Sequence, residues 1–180
     1  MSKIVSNFFI SLDGVVEAPD EWHFPYFDDA MGQVMGEGMA TQTAFLMGRR
    51  LYDEWSQYWP AQAADVPFSE HINNIQKYVV THRPVEGAPW KNTTVVGADA
   101  VAQLRAIKEQ GEGDIAMSGS ATTVRWLLAN DLLDELHLLV HPIAVGKGQR
   151  LFEETGTVPL QLLSSATLPS GVLHLRYAPA

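Results

Sequence analysis

Asp114-Ile115-Ala116-Met117-Ser118-Gly119-Ser120-Ala121-Thr122-Thr123-Val124 is the most informative stretch of this chain. Asp114 to Met117 is a short apolar run of strand character. Ser118-Gly119-Ser120 follows as a small-residue turn, and Val124, Trp126, Leu127 and Leu128 then mark a helix. A strand that turns through small residues into a helix is half of a parallel α/β unit. Small residues there let a phosphate approach the backbone, where the helix N-terminus offers unpaired N–H groups and partial positive charge. Ser120, Thr122 and Thr123 add hydroxyl donors. The same residues would also suit a plain serine N-cap on a core helix.

The pattern extends in both directions. Lys3 to Ser11 is β-branched and aromatic and stops at the turn signal Asp13-Gly14, so it reads as a buried strand. Glu17 to Tyr26 is a loop with aromatic content, and Phe27, Ala30, Met31, Val34 and Met35 fall at helical spacing. Ala44–Met47 is a second strand closed by Gly48. Arg49 to Trp59 follows, with Tyr52, Trp55 and Trp59 on one helical face, and Pro60 begins a loop. Lys77–Thr81 and Thr93–Val96 are the third and fourth strands, and Val101, Leu104 and Ile107 mark a helix that stops at Gly111. Glu135 to His141 is a sixth strand. Leu160–Ser165 and Val172–Tyr177 flank Pro169-Ser170-Gly171 as a closing hairpin. Strand and helix alternate, and then strands follow strands. The expectation is an α/β fold: a three-layer α/β/α sandwich whose mostly parallel central sheet carries an antiparallel C-terminal edge. With no repeat and no linker, residues 1–180 read as one domain.

Composition narrows the function. The chain has 12 basic and 21 acidic residues, a formal charge of −9, which disfavours non-specific binding to nucleic acid or an anionic membrane. It has no cysteine, so thiol nucleophiles, thiolate metal sites and disulfides are excluded. No apolar run has the length of a membrane span and no signal peptide is evident, which points to the cytoplasm. The histidines form no recognisable metal pattern.

In such a sheet, ligands bind beyond the carboxyl ends of the strands. Arg49, Arg50, His82 and Arg83 place four of the chain's few cationic or protonatable groups at just two strand ends. Guanidinium groups clamp phosphate monoesters through paired hydrogen bonds, as an NADP-type cofactor requires. Exposed loop charge facing an acidic surface would look the same. Asp13-Gly14 suits a tight turn, and Asp28 and Asp29 suit the start of a helix. His141, just before Pro142, reads as structural. The tryptophans suit a core better than a ligand platform, and Trp22, in a loop, is the exception that could meet a ligand.

The order of several segments resembles the dihydrofolate reductase-like superfamily. They are Ser11-Leu12-Asp13-Gly14-Val15-Val16, Leu46-Met47-Gly48-Arg49-Arg50-Leu51-Tyr52, Gly119-Ser120-Ala121-Thr122, Leu133-Asp134-Glu135-Leu136, His141-Pro142-Ile143 and Gly146-Lys147-Gly148-Gln149-Arg150-Leu151-Phe152. The branch is that of the reductase domain of bifunctional riboflavin-biosynthesis deaminase-reductases. The resemblance implies NADPH as cofactor and a homodimer. It implies that Gly48, Arg49 and Arg50, with Thr81, His82 and Arg83, contact the adenosine-side phosphate. Ser118, Gly119, Ser120, Ala121 and Thr122 would hold the pyrophosphate, and Asp13, Gly14, Val15 and Val16 would cover the nicotinamide. The family usually has threonine where Leu51 stands and often glycine where Ser118 and Ser120 stand. The deaminase half's Cys/His zinc signature is absent. Lys147 and Arg150 suit a substrate-phosphate clamp by residue type alone.

The resulting expectation is an NADPH-dependent reductase of a small heterocyclic substrate, such as a 5-amino-6-(5-phosphoribosylamino)uracil-type pyrimidine of riboflavin biosynthesis. Asp13, Asp28 and Asp29, in that order, are the candidate proton donors, and Trp22 is the candidate substrate contact. The alternatives are a genuine dihydrofolate reductase, a catalytically silent nucleotide-binding module, or a domain that binds no nucleotide.

Overall fold

The computed structural model describes residues 1–63, 65–87 and 89–180. Six strands run parallel: β1 (Lys3–Ser11), β2 (Gln42–Gly48), β3 (Gln76–Val80), β4 (Thr93–Val96), β5 (Asp114–Met117) and β6 (Glu135–His141). β7 (Leu160–Thr167) and β8 (Leu173–Pro179) add an antiparallel edge, giving the order β4-β3-β2-β5-β1-β6-β8-β7. Central strands of a sheet covered on both faces read as continuous apolar runs, and Ala44, Phe45, Leu46 and Met47 of β2 are all buried.

Alternation along each strand supplies the two cores. Ile4, Phe8 and Ile10 of β1 join Leu46, Ile115, Met117 and Leu136 under α4 (Ala100–Gln110) and α5 (Ala121–Ala129). On the other face Phe45, Met47, Val79 and Ala116 pack under α2 (Arg49–Tyr58) and α3 (Pro67–Asn74), while Phe9 and Leu139 pack under α1 (Asp29–Thr41). Each fully buried Leu or Ile contributes about 1.5–3 kcal/mol. The expected sandwich and its antiparallel edge are therefore present.

One element differs from expectation. The segment after Pro60 holds α3, whose Phe68 and Ile72 pack with Trp55 and Trp59. An eight-residue helix is too short to show periodicity beside so many loop residues. Lys77 at the start of β3 closes it. This fully buried ammonium donates to the carbonyls of Ile72 and Ile75 at 2.8 Å and lies 4.6 Å from the Trp90 ring centroid. Burial pushes its pKa down to about 8. A cation at a helix C-terminus satisfies carbonyls that have no partner in the helix.

The amino end of the sheet is tied by ions. The Glu135 carboxylate accepts from Lys3 Nζ at 2.9 Å and from Arg176 Nη2 at 2.8 Å, and His137 Nε2 lies 2.9 Å away. Burial alone would raise this carboxyl, but hydrogen bonds from His137, Lys3 and Arg176 outweigh it and hold the pKa at about 2. Asp134 accepts from the Ile4 N–H and pairs with Lys108, which also donates to the Leu132 carbonyl.

Candidate functional site

The carboxyl ends of the parallel strands form one edge, and its two halves are built differently. At the ends of β2 and β3 an open groove of about 560 Å³ is lined by Arg49, Arg50, Asp53, Glu54, Thr81, His82 and Arg83. Arg49 starts α2, but its guanidinium is already engaged. Nε lies 2.7 Å from Asp53 Oδ1, and Nη1 donates to the Pro84 carbonyl at 2.6 Å. The Thr81 hydroxyl is also used locally, accepting from the Arg83 N–H and donating to the Arg83 carbonyl. Arg50 is different: its side chain is 88% exposed and held only by Glu54, at 3.1 Å. His82 and Arg83 are exposed. The groove thus offers Arg50, His82 and Arg83 to an anion.

Beside it, two helices begin together. Gly48 is the N-cap of α2 and Ser120 the N-cap of α5, where the Ser120 hydroxyl accepts from the Thr123 N–H. A Cβ on Gly48 would stand 2.6 Å from Thr123 Oγ1, so only glycine lets the two starts approach. Gly119 has φ +89°, which glycine adopts freely, and the following peptide bond is cis. Ser118 and Thr122 are exposed, whereas Ala121 is packed in the core. Two helix N-termini and a groove of free basic groups suit a ligand bearing several phosphates, as NADPH does.

The other half, at the ends of β1 and β6, uses its charges internally. Asp13 accepts from Ser11 Oγ at 2.6 Å and from the N–H groups of Val145 and Gly146 at 3.0 and 2.8 Å. The Ser11 hydroxyl, then these two N–H groups, hold its carboxyl at about 2. Arg150 Nε donates to the Asp13 carbonyl, and Val15, fully buried, forms a bridge with Arg150. The loop after β1 and the loop after β6 are thereby locked together. Asp28 is the N-cap of α1 and accepts from the N–H groups of Met31 and Ser170, which lowers its pKa. Asp29 follows it, exposed, in the first turn of α1.

Beneath the Ala18–Phe27 segment lies an aromatic cluster. His23 stacks on Phe9 with ring centroids 4.4 Å apart, and Trp22 and Tyr26 meet the His141 ring edge-on at 5.2 and 5.7 Å. His141 Nδ1 lies 2.8 Å from the Leu139 carbonyl; a carbonyl only accepts, so Nδ1 carries the proton. The chain has no cluster of three or more metal-ligating His, Asp or Glu side chains among the described residues.

A family model, the RibD C-terminal domain, matches residues 2–174. The chain belongs to the RibD C-terminal domain family. An uncharacterized Bacillus subtilis protein, YyaP, is 24% identical over 182 residues, 97% of this chain and 94% of that one. The crystal structure of a candidate riboflavin biosynthesis protein from Shewanella sp. PV-4 superposes with TM-score 0.78 at 18% identity, covering 99% of both chains. Dihydrofolate reductase from Enterococcus faecalis, complexed with NADP(H) and RAB-propyl, superposes with TM-score 0.63 at 15% identity, covering 98% of this chain and 96% of that one. The fold is dihydrofolate reductase-like.

Within this RibD C-terminal domain fold, the residues expected around a cofactor divide. Gly48, Arg50, His82, Arg83, Ser118, Gly119, Ser120 and Thr122 lie along the groove or the adjoining turn. Arg49, Thr81 and Ala121 support that edge from within, through Asp53 and Pro84, through the Arg83 backbone, and through the core. Asp13 and Asp28, the expected proton donors, each accept N–H groups that favour the ionised carboxylate. Arg150, expected beside Lys147 as a substrate-phosphate clamp, donates from Nε to the Asp13 carbonyl and lies 3.7 Å from the Asp13 carboxylate. Lys147 is exposed on the same loop. Leu51 packs against the core under α2, away from the groove. Trp22 is buried against His141, inside the cluster, with no open face for a ligand. His141 reads from the sequence as structural, and the sequence does not mark His23. The available signal was a histidine ending a buried strand, and nothing local shows that its second nitrogen lacks a partner.

Proposed function

We propose that this chain is an NADPH-dependent reductase of a small heterocyclic substrate, with a phosphoribosylamino-pyrimidine of riboflavin biosynthesis as the favoured class. The observation that carries the reading is the paired start of α2 and α5 at Gly48 and Ser120, next to a groove lined by the exposed Arg50, His82 and Arg83. Membership of the RibD C-terminal domain family supports the reaction and substrate class. Bound NADPH would supply the hydride. The chain's own residues bind and orient: Arg50, His82 and Arg83 receive the adenosine-side phosphate, and the Gly119–Thr122 backbone receives the pyrophosphate. The interlocked Asp13–Val16 loop is a fixed wall for the nicotinamide. With Asp13 and Asp28 held ionised, the proton that accompanies the hydride comes from water or from the exposed Asp29.

A titration of the purified chain with NADPH and NADH tests this. Much tighter NADPH binding supports the reading, and no binding of either cofactor removes it. The engagement of Asp13 and Asp28 also favours a second reading, a nucleotide-binding module without turnover. NADPH binding with no oxidation across a panel of pyrimidines and pteridines would select it.

We also propose a homodimer through the outer edge of the sheet. β7 is the last strand, and Leu162 and Leu163 stand exposed on it. Natural proteins rarely leave such an edge uncovered. Sedimentation equilibrium with a Leu162→Lys variant checks this: a monomeric wild type would remove it.

A further inference from the structure

His23 of the Ala18–Phe27 segment and His141 beneath it have no role in the cofactor groove. His141 is completely buried and His23 is 7% exposed. Among the described residues, His141 Nε2 and His23 Nδ1 have no hydrogen-bond partner. Leaving such atoms buried is costly, and native structures do it rarely. The rings lie 6.1 Å apart, nearly perpendicular, boxed by Phe9 of β1 and by Trp22, Tyr26 and Phe27 of the segment. Among the described residues, no carboxylate hydrogen-bonds to either ring. Asp20 acts on His23 only at a distance, Asp28 is committed to capping α1, and Glu17 accepts from the Gln149 N–H. β6 presents only the Leu139 carbonyl, and β1 contributes Phe9 and a backbone group of Ile10. The segment has little else to hold it. Its backbone hydrogen bonds stay within the two 3₁₀ turns, Pro19–Glu21 and Phe24–Tyr26, and the Trp22 indole donates to the Glu17 carbonyl.

We propose that His23 and His141 form a proton-released latch, which keeps the Ala18–Phe27 segment shut over the ends of β1 and β6 while both rings are neutral and frees it on acidification. Two neutral imidazoles pack in this box as aromatic rings. Two imidazolium ions in the same box would repel each other in an apolar surround where, among the described residues, no carboxylate hydrogen-bonds to either ring and Asp20 acts only at a distance. The segment then swings out and both rings regain water. Burial lowers both pKa values, and for His23 the facing His141 lowers it further. The sign follows from linkage: the open form binds protons more tightly, so opening rises as pH falls below about 6.5. Each imidazole contributes up to about tenfold per pH unit until its closed-state pKa is passed. On the reductase reading, on which this role rests, the latch regulates access to the substrate side of the site.

Amide hydrogen exchange of the wild-type chain without cofactor, corrected for intrinsic rates, tests the latch at pH 7.5 and 5.5. The expected result is a loss of protection in residues 18–27 at least tenfold greater than any loss at Ile115–Met117 of β5. His23→Phe should keep the stacking on Phe9 and reduce the pH effect at least threefold, and His23→Gln should do the same if Phe perturbs packing. Equal protection at both pH values would overturn the proposal. So would equal loss across the whole chain, or a pH effect that persists unchanged in both variants. Failure of the reductase reading would appear separately, in the cofactor titration.

Discussion

The two ends of the sheet treat charge in opposite ways. At the amino end Glu135 holds Lys3, His137 and Arg176, Asp134 holds Lys108 and the Ile4 amide, and Lys77 closes α3. At the carboxyl end, Arg50, His82 and Arg83 face an open groove, and the imidazoles of His23 and His141 keep a nitrogen without a partner. A buried or half-buried polar group that has its partners contributes to the fold. One left without them raises the energy of the fold, and binding or conformational change is the way to recover it. Asp13 tests the rule from inside the carboxyl end: it looks catalytic by position, yet its partners make it structural.

The comparison can be broken first at the amino end. Glu135→Ala should cost about 2–3 kcal/mol in urea unfolding, below the cost of a fully buried pair because Lys3 and Arg176 reach water. A loss under about 0.5 kcal/mol would mean the network is ornamental. Lys77→Met should cost about 2 kcal/mol, since three carbonyls near the end of α3 lose their donor. It should also remove a pH effect. Lys77 is charged up to pH 10.5 when unfolded but only to about 8 when folded, so wild-type stability should rise between those values and the variant's should not.

At the carboxyl end, Arg50→Ala and Arg83→Ala should leave the urea midpoint unmoved. Each should weaken NADPH about tenfold, or about 1.4 kcal/mol, with NADH unchanged. Arg49→Ala should lose stability as well, through the Pro84 and Asp53 contacts, so parallel losses of both cofactors there would support its bracing role.

The smallest effect is in acid. Glu135 contributes stability above its unfolded value near 4.5, and that contribution is lost as pH falls toward about 2. His23, His71, His137, His141 and His174 all have lowered pKa values, so stability also declines as pH drops below 6.5. Urea midpoints at pH 7, 5.5 and 4 should separate the two phases, and Glu135→Gln should flatten only the lower one.

The fold was legible where a pattern is local. β1, β4, β5 and β6 lie where the apolar runs and turn residues place them. α3 was missed because eight residues carry too little periodicity. The site was half legible. Gly48, Ser120 and the basic residues after β2 and β3 are marked by their position at strand ends, which follows from the parallel order itself. Asp13, Arg150 and Arg49 carry the right chemistry at the right place, and their chemistry is already in use.

The sequence by itself determined the alternation of strand and helix, the parallel sheet, and the edge at which a sheet of this kind offers a ligand site, because each follows from side-chain period and turn chemistry within a few residues. The tertiary structure alone decided which polar groups on that edge remain free. Asp13 meets Val145 across 132 positions of sequence, and Arg150 meets the Asp13 carbonyl across 137. No local pattern records such a pairing, so the partners that bind Asp13, and the absence of a partner for His141 Nε2, appear only when the chain is folded.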